Sequence, residues 1–261
     1  MRKNQILQLL NDNRGRVQGL RVQASADATE VTVYVYDVIV TDDWWGGVSA
    51  AAFVQALASI TADVIHLRIN SPGGDVFAAR AMETAVRGHS AKVIAHVDGV
   101  AASAASFLML AADEVEITDG AFVMIHKAWS FAMGNADELK ETANLLDAVD
   151  ASLVRTYAKE TGQDEADIAA WMAAETWFSS ADAIEKGFAH RLAGSDAGAN
   201  ASAWNLSAYS NAPAPKQPVT PPTAPADSSA APTPPAASGD PIFRVPDLAA
   251  MKRRLDLSHR L

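Results

Sequence analysis

Apolar and polar positions alternate along Val31-Thr32-Val33-Tyr34-Val35-Tyr36, the two-residue period of a strand. From Gly47 to Ile60 the period lengthens: Val48, Ala51, Val54 and Ala58 fall near helical spacing. The alternation continues with strands at Val64–Ile69 and Val93–Val97 and a helix over Phe77–Val86 between them. Ser103–Ala111 reads as a helix, and Glu114–Thr118 and Phe122–His126 as two short strands. Strands that take turns with helices predict a layered α/β domain with a largely parallel sheet. Asn135-Ala136-Asp137-Glu138 has the form of a capping box. Leu139, Ala143, Leu146, Val149, Leu153 and Tyr157 follow at helical steps, so a helix of about six turns is expected, apolar on one stripe and charged behind it.

The pattern stops near Leu192. Residues 211–240 are dense in Pro with Ala, Ser and Thr, a composition that favours extended linker over a buried core. Four segments result: a basic N-terminal segment at 1–23, an α/β domain at 24–192, a disordered Pro/Ala-rich linker at 193–240, and a short basic helix within 241–261, over Pro246–Leu255. The net charge of −10 is uneven. Residues 1–23 hold five Lys/Arg against one Asp and residues 241–261 hold five against two, leaving −17 on the rest. So acidic a body is a poor nucleic-acid binder. The basic ends read as docking segments or as solvated tails. No apolar run reaches about 18 residues, so no membrane span is expected. The start of the chain is too broken by Gln and Asn for a secretory signal. With no cysteine, thiol nucleophiles, thiolate metal sites and disulfides are excluded, and the composition suits a cytoplasm.

Chemistry concentrates at strand ends. The run Gly99-Val100-Ala101-Ala102-Ser103 places a hydroxyl between a strand and an apolar helix, where free N–H groups stabilise an oxyanion. Val123-Met124-Ile125-His126 ends another strand with a base, and Asn70-Ser71-Pro72-Gly73-Gly74 ends a third with a glycine turn. Ser103 is the candidate nucleophile, His126 the base, and the N–H groups of Gly74 and Ala104 the oxyanion donors. Ser106, three residues on, reads as a buried serine bonding a carbonyl. His66, His89, His96, His190 and His259 lack a comparable setting and read as structural or solvated. An orienting carboxylate must come from far along the chain. Glu175, beside Trp177 and Phe178, is the candidate, with Asp164, Asp167 and Asp182 left open. A histidine base at its reference pKa of about 6.5 predicts activity that rises near neutral pH.

These residues resemble the Clp protease proteolytic subunit family, and more closely its phage relatives that mature viral heads. Ser179 through Gly187 adds a further match, and the resemblance covers about residues 30–192. It places Glu175 where the family has its catalytic Asp, although a register one residue later puts Thr176 there. The resemblance implies a crotonase-like α/β fold of repeated ββα units with a long protruding handle helix at 135–160. It implies homo-oligomeric rings, a heptamer or two stacked heptamers, enclosing the active sites, and no cofactor. A substrate peptide would lie extended beside Gly73, Gly74, Asp75 and Val76 and beside the strand after His126, which includes Ala128 and Trp129.

The reading that follows is a serine endopeptidase working through an acyl-serine intermediate. Its expected task is to process scaffold or coat proteins in an assembling phage head, in the host cytoplasm or inside the procapsid. One alternative is a degradative subunit served by a separate ATP-driven unfoldase, since the chain has no phosphate-binding loop of its own. Another is an inactive ring-forming assembly protein. An acyl-CoA hydratase is disfavoured, because the Ser–His pairing is unnecessary there and an acidic carrier would meet an acidic body.

Overall fold

A computed structural model describes residues 5–13, 19–27, 29–44, 46–194 and 204–213. In chain order the elements are α1 (Gln5–Asp12), β1 (Leu20–Ala24), β2 (Glu30–Val35), β3 (Ile39–Val40), β4 (Val48–Ser49), α2 (Ala50–Ala58), β5 (Val64–Ser71), α3 (Val76–Gly88) and β6 (Lys92–Ala102). They continue with α4 (Ala104–Met109), β7 (Glu114–Ile117), β8 (Phe122–Ile125), α5 (Ala136–Thr161), α6 (Glu165–Ala174), β9 (Thr176–Ser179), α7 (Ser180–Glu185) and β10 (Arg191–Leu192).

Strands β2, β5, β6, β7 and β10 lie side by side and parallel, with β1 antiparallel on the β2 edge. The period of two buries one face. Ile65, Leu67 and Ile69 of β5 and Val93, Ala95 and Val97 of β6 join Phe53 and Leu57 of α2, Met82 of α3 and Phe107 and Leu108 of α4 in one core. The other face carries polar groups that satisfy one another. His66 and His96 meet ring to ring at 2.9 Å, flanked by Glu30 at 3.2 Å and Glu116 at 3.1 Å. Beside them the Arg68 guanidinium clasps Asp98, which also accepts from the Tyr36 hydroxyl. The expected mixed α/β domain with a largely parallel sheet is therefore observed.

Strand β6 positions the site. Its eleven residues serve two partners along one edge: Ile94–Val97 pair with β7, and Val100–Ala102 pair with β8. The fork lets β8 continue where β7 has ended, and β9 returns antiparallel on β8. In α5 the capping box at Asn135 and Glu138 forms as expected, and Gly162 ends the helix at φ 72°. Among its buried residues are Leu153 and Tyr157, near its C-terminal end; its N-terminal half is mostly exposed.

Three differences from the sequence reading have physical reasons. The helix expected from Gly47 begins at Ala50, because Val48 and Ser49 pair with β3 and Ser49 Oγ caps α2 by accepting from Ala52 N at 3.3 Å. The N-terminal segment, read as a docking element or solvated tail, folds onto the body in part: α1 buries Leu9 and Leu10. Residues 204–213, placed within a disordered linker, also pack. Tyr209 is 6% exposed and joins Leu9, Leu10, Val38, Val100, Ala102 and Met124 in a second apolar cluster. The basic helix expected over Pro246–Leu255 lies outside the described residues.

Candidate active site

The strand register assembles the site. Ser71 pairs with Ala101, Ala102 pairs with Met124, and Ile125 pairs with Thr176. One or two residues beyond these pairs stand Gly73, Ser103, His126 and Glu175, so four distant segments end at one place. Ser103 N donates to Met124 O at 2.8 Å, which ties the turn after β6 to β8. Ser103 Oγ lies 2.7 Å from His126 Nε2. Ser103 has φ 53° and ψ −122°, a conformation a side chain rarely adopts. Such a backbone lifts a hydroxyl clear of both strand and helix, and strain of this kind concentrates at reactive positions.

Ala104 opens α4, so its N–H has no acceptor within the helix. Gly73 packs against the same turn: a Cβ there would lie 2.5 Å from Ala102 O and 2.8 Å from Ser103 Cβ. Its N–H is taken by Ser71 Oγ at 3.1 Å. Gly73 O and Asp75 N both pair with Ile39, at 2.8 and 2.9 Å. That edge is therefore filled by β3. Val76 begins α3, and Asp75 Oδ1 caps that helix by accepting from Ala78 N at 2.7 Å. Between the two bonds to Ile39, Gly74 turns its main-chain groups away from it, as strand alternation requires.

A cleft of about 230 Å³ opens beside Ser103. Gly74, Asp75 and Val76 line one side, and Ala128 and Trp129 line another. Its floor is apolar, with Phe107, Leu146, Val149 and Leu153. Ala128 N donates to Asp150 Oδ1 at 2.7 Å and Lys127 N to Met172 O at 3.1 Å, so α5 and α6 hold the segment after His126. Beneath Ser103, Ser106 Oγ donates to Ser103 O at 2.6 Å, the carbonyl bond expected from its spacing, and meets Tyr157 Oη at 2.6 Å.

Burial pulls the His126 pKa down to about 4, and the negative charge of Glu175 offsets this only in part. Glu175 is close enough to act through charge, but no hydrogen bond joins it to His126 among the described residues. Its carboxylate instead accepts from Asn211 N at 2.6 Å and Ser210 N at 3.1 Å. Like Ser103 it has a positive φ, and at φ 51° and ψ 73° it takes the left-handed conformation where it ends α6. The other described histidines take structural partners: His190 Nδ1 accepts from Val115 N at 2.9 Å and His89 Nδ1 from Ala91 N at 3.0 Å.

Sequence reasoning missed Asp150, Tyr157 and Tyr209. Tyr209 donates its hydroxyl to Pro72 O and sets its ring edge-on to His126, with centroids 5.5 Å apart. The available signal was Trp204, Leu206 and Tyr209, apolar residues recurring before the proline-dense stretch begins. Among the described residues no group of three or more His, Asp or Glu could hold a metal ion. None of the described helices is long and apolar enough to cross a membrane.

A hydroxyl paired with an imidazole at a strand–helix turn, beside the first N–H of a helix, is an arrangement that nucleophilic serine sites on α/β scaffolds share. Residues 39–196 match the Clp protease family, and the chain belongs to that family. Its relatives include ATP-dependent Clp protease proteolytic subunit 2 of Treponema denticola, 30% identical over 131 residues, which are 49% of this chain and 66% of that protein. The subunit of the same name in Pseudomonas aeruginosa is 28% identical over 142 residues, 53% of this chain and 70% of that protein. That of Mycolicibacterium paratuberculosis is 27% identical over 155 residues, covering 59% and 77%.

Proposed function

We propose that the chain is a serine endopeptidase of Clp type that cleaves polypeptides through an acyl-serine intermediate. The 2.7 Å contact between Ser103 Oγ and His126 Nε2, on a Ser103 held at positive φ, carries this reading. His126 Nε2 accepts the Ser103 proton as Oγ adds to the scissile carbonyl carbon. The N–H groups of Gly74 and Ala104 hold the resulting oxyanion. Collapse expels the amine, which takes the proton from His126, and a water repeats the sequence to free Ser103. Glu175 serves as the third group through its negative charge, which favours the imidazolium formed in each transition state. The apolar floor of the cleft suits a large apolar side chain before the cleaved bond.

Homo-oligomeric rings, heptameric and stacked in pairs, are part of this proposal. The exposed half of α5 carries Leu139 and Leu145, with Phe131 and Met133 just before it, apolar surface that pairing between rings would cover. The task proposed is processing of scaffold or coat polypeptides during phage head assembly, in a host cytoplasm or procapsid, with no cofactor, nucleic acid or membrane involved. The basic 241–261 segment supports docking to an acidic protein partner. A second reading, degradation with a separate unfoldase, is favoured by the relatives' designation as ATP-dependent subunits.

The test is mass spectrometry of a denatured protein substrate incubated with the wild type, Ser103→Ala and His126→Ala. New termini with the wild type alone support the peptidase reading. Intact substrate in all three, with rings assembled, contradicts it in favour of an inactive assembly protein. Cleavage of folded substrates only with an unfoldase and ATP selects the second reading.

A further inference from the structure

Residues 204–213 lie beyond the 39–196 region shared with the family, yet they reach the site at several points. Trp204 Nε1 donates to Asn70 O at 3.0 Å, and the Tyr209 hydroxyl donates to Pro72 O, so two contacts hold the turn that carries Gly73 and Gly74. The Tyr209 ring stands edge-on between His126 and Trp177, with centroids at 5.5 and 5.8 Å. Asn211 N and Ser210 N hold the Glu175 carboxylate. The segment is itself clasped from the far side. Asn13 Nδ2 donates to Asn205 O at 3.1 Å, Asn205 N returns to Asn13 Oδ1 at 2.7 Å, and Gln5 Nε2 donates to Ala208 O at 2.9 Å. Asn13 is fully buried. Both α1 and this segment therefore serve one end, the wall behind His126.

We propose that residues 204–213 are an intrinsic part of the active site and that Tyr209 is the positioning residue for His126. The inference rests on the serine-peptidase reading above. Tyr209 acts through His126: its ring blocks imidazole rotation away from Ser103 and keeps water from that face, while its hydroxyl faces the Ser103 side chain. The segment leaves the cleft beside Ser103 open, since none of its residues line it. Its Ala208, Ser210 and Asn211 border a second hollow, with Glu175, Lys127 and Gln8, that meets the cleft along His126 and residues 128–131. That placement favours support of the site over occlusion of the substrate lane.

The ionisable groups around His126 are Glu175 and Lys127 on the segment's side, Asp75 and Tyr157 on the cleft side, and Tyr209 itself. Lys127 is turned toward Asp150, at 3.8 Å, and Tyr209 is un-ionised because burial raises its phenol pKa. Loss of the Tyr209 ring hydrates His126, and relief of its desolvation moves the imidazole pKa upward.

The test follows the second-order rate of Ser103 modification by an alkyl fluorophosphonate against pH, with the full-length chain. Tyr209→Leu keeps the position apolar but loses ring and hydroxyl; Tyr209→Phe loses only the hydroxyl. Tyr209→Leu is expected to lower the plateau rate about tenfold and to raise the pH midpoint by about one unit. Tyr209→Phe is expected to keep the wild-type midpoint. A folded Tyr209→Leu with wild-type rate and midpoint overturns the proposal, as does a faster rate, which would make the segment an obstruction. If Tyr209→Leu does not fold, Asn13→Ala removes the side chain that bonds both Asn205 O and Asn205 N and so loosens the clasp away from His126. A raised midpoint there supports the proposal, and lowered thermal stability with an unmoved midpoint overturns it. An unlabelled wild type removes the peptidase reading and this proposal together; a labelled wild type with an indifferent Tyr209→Leu removes this proposal alone.

Discussion

His126 and Glu175 flank the last antiparallel pair of β8 and β9, Ile125 with Thr176, and no hydrogen bond joins them. The carboxylate still acts on the imidazole through charge, while its oxygens accept main-chain N–H groups of Ser210 and Asn211. An orienting bond to a histidine fixes both tautomer and ring angle, whereas a neighbouring charge fixes neither. Ring orientation here falls to packing instead.

That division predicts unequal losses on mutation. Ser103→Ala and His126→Ala should each reduce peptide hydrolysis by about 10⁴-fold or more. Glu175→Gln removes the charge but keeps an oxygen for the Asn211 N–H, and should cost only about tenfold. Steady-state kcat on a common peptide separates the cases. A loss with Glu175→Gln equal to that with His126→Ala would contradict charge-only coupling.

The pH profile follows from burial of the base. Only neutral His126 accepts the Ser103 proton, and desolvation disfavours the cation, holding the pKa at about 4. Activity should be lost as pH falls through about 4 and be flat from about 6 to 8. Initial rates between pH 3.5 and 8, with circular dichroism to confirm folding, check this. A midpoint near 6.5, the value expected from sequence, would contradict the desolvated site.

Gly74 should tolerate no side chain. Its φ is 151°, and an added Cβ would lie 1.9 Å from Ile39 O, main chain that cannot yield. Gly74→Ala must separate β3 from the turn and shift the N–H offered to the oxyanion. A fall in labelling of Ser103 of more than about 100-fold is expected. Labelling at the wild-type rate would remove Gly74 from the oxyanion hole.

The pair beneath the nucleophile is a stability device. Ser106 Oγ gives its one proton to Ser103 O, so the buried Tyr157 hydroxyl must donate to Ser106. Ser106→Ala leaves that phenol without its acceptor and should cost about 1–3 kcal/mol, read as a fall in Tm of several degrees. An unchanged Tm would show that another acceptor takes over.

Much of this was legible from residue pattern. Alternation in β2 and β5, the small-residue run ending at Ser103, the apolar strand ending at His126 and the capping box at Asn135 are local signals, and each is present in the structure. The contacts that complete the site are not local. β3 is two residues long and is defined by its pairing with Val48, Ser49 and Gly74. Tyr209 meets His126 from 83 positions away through side-chain-to-main-chain bonds, which impose no period on the sequence. Its place beside Trp177 and Phe178 sets Glu175 only a little apart from Asp164, Asp167 and Asp182, and its left-handed backbone comes from the end of α6 rather than from a local pattern.

The most direct measurement is intact mass after treatment with an alkyl fluorophosphonate, for the wild type, Ser103→Ala and His126→Ala. The Ser103–His126 pair predicts one adduct on the wild type and none on either variant. An unmodified wild type, or an adduct that survives in Ser103→Ala, would contradict an activated Ser103.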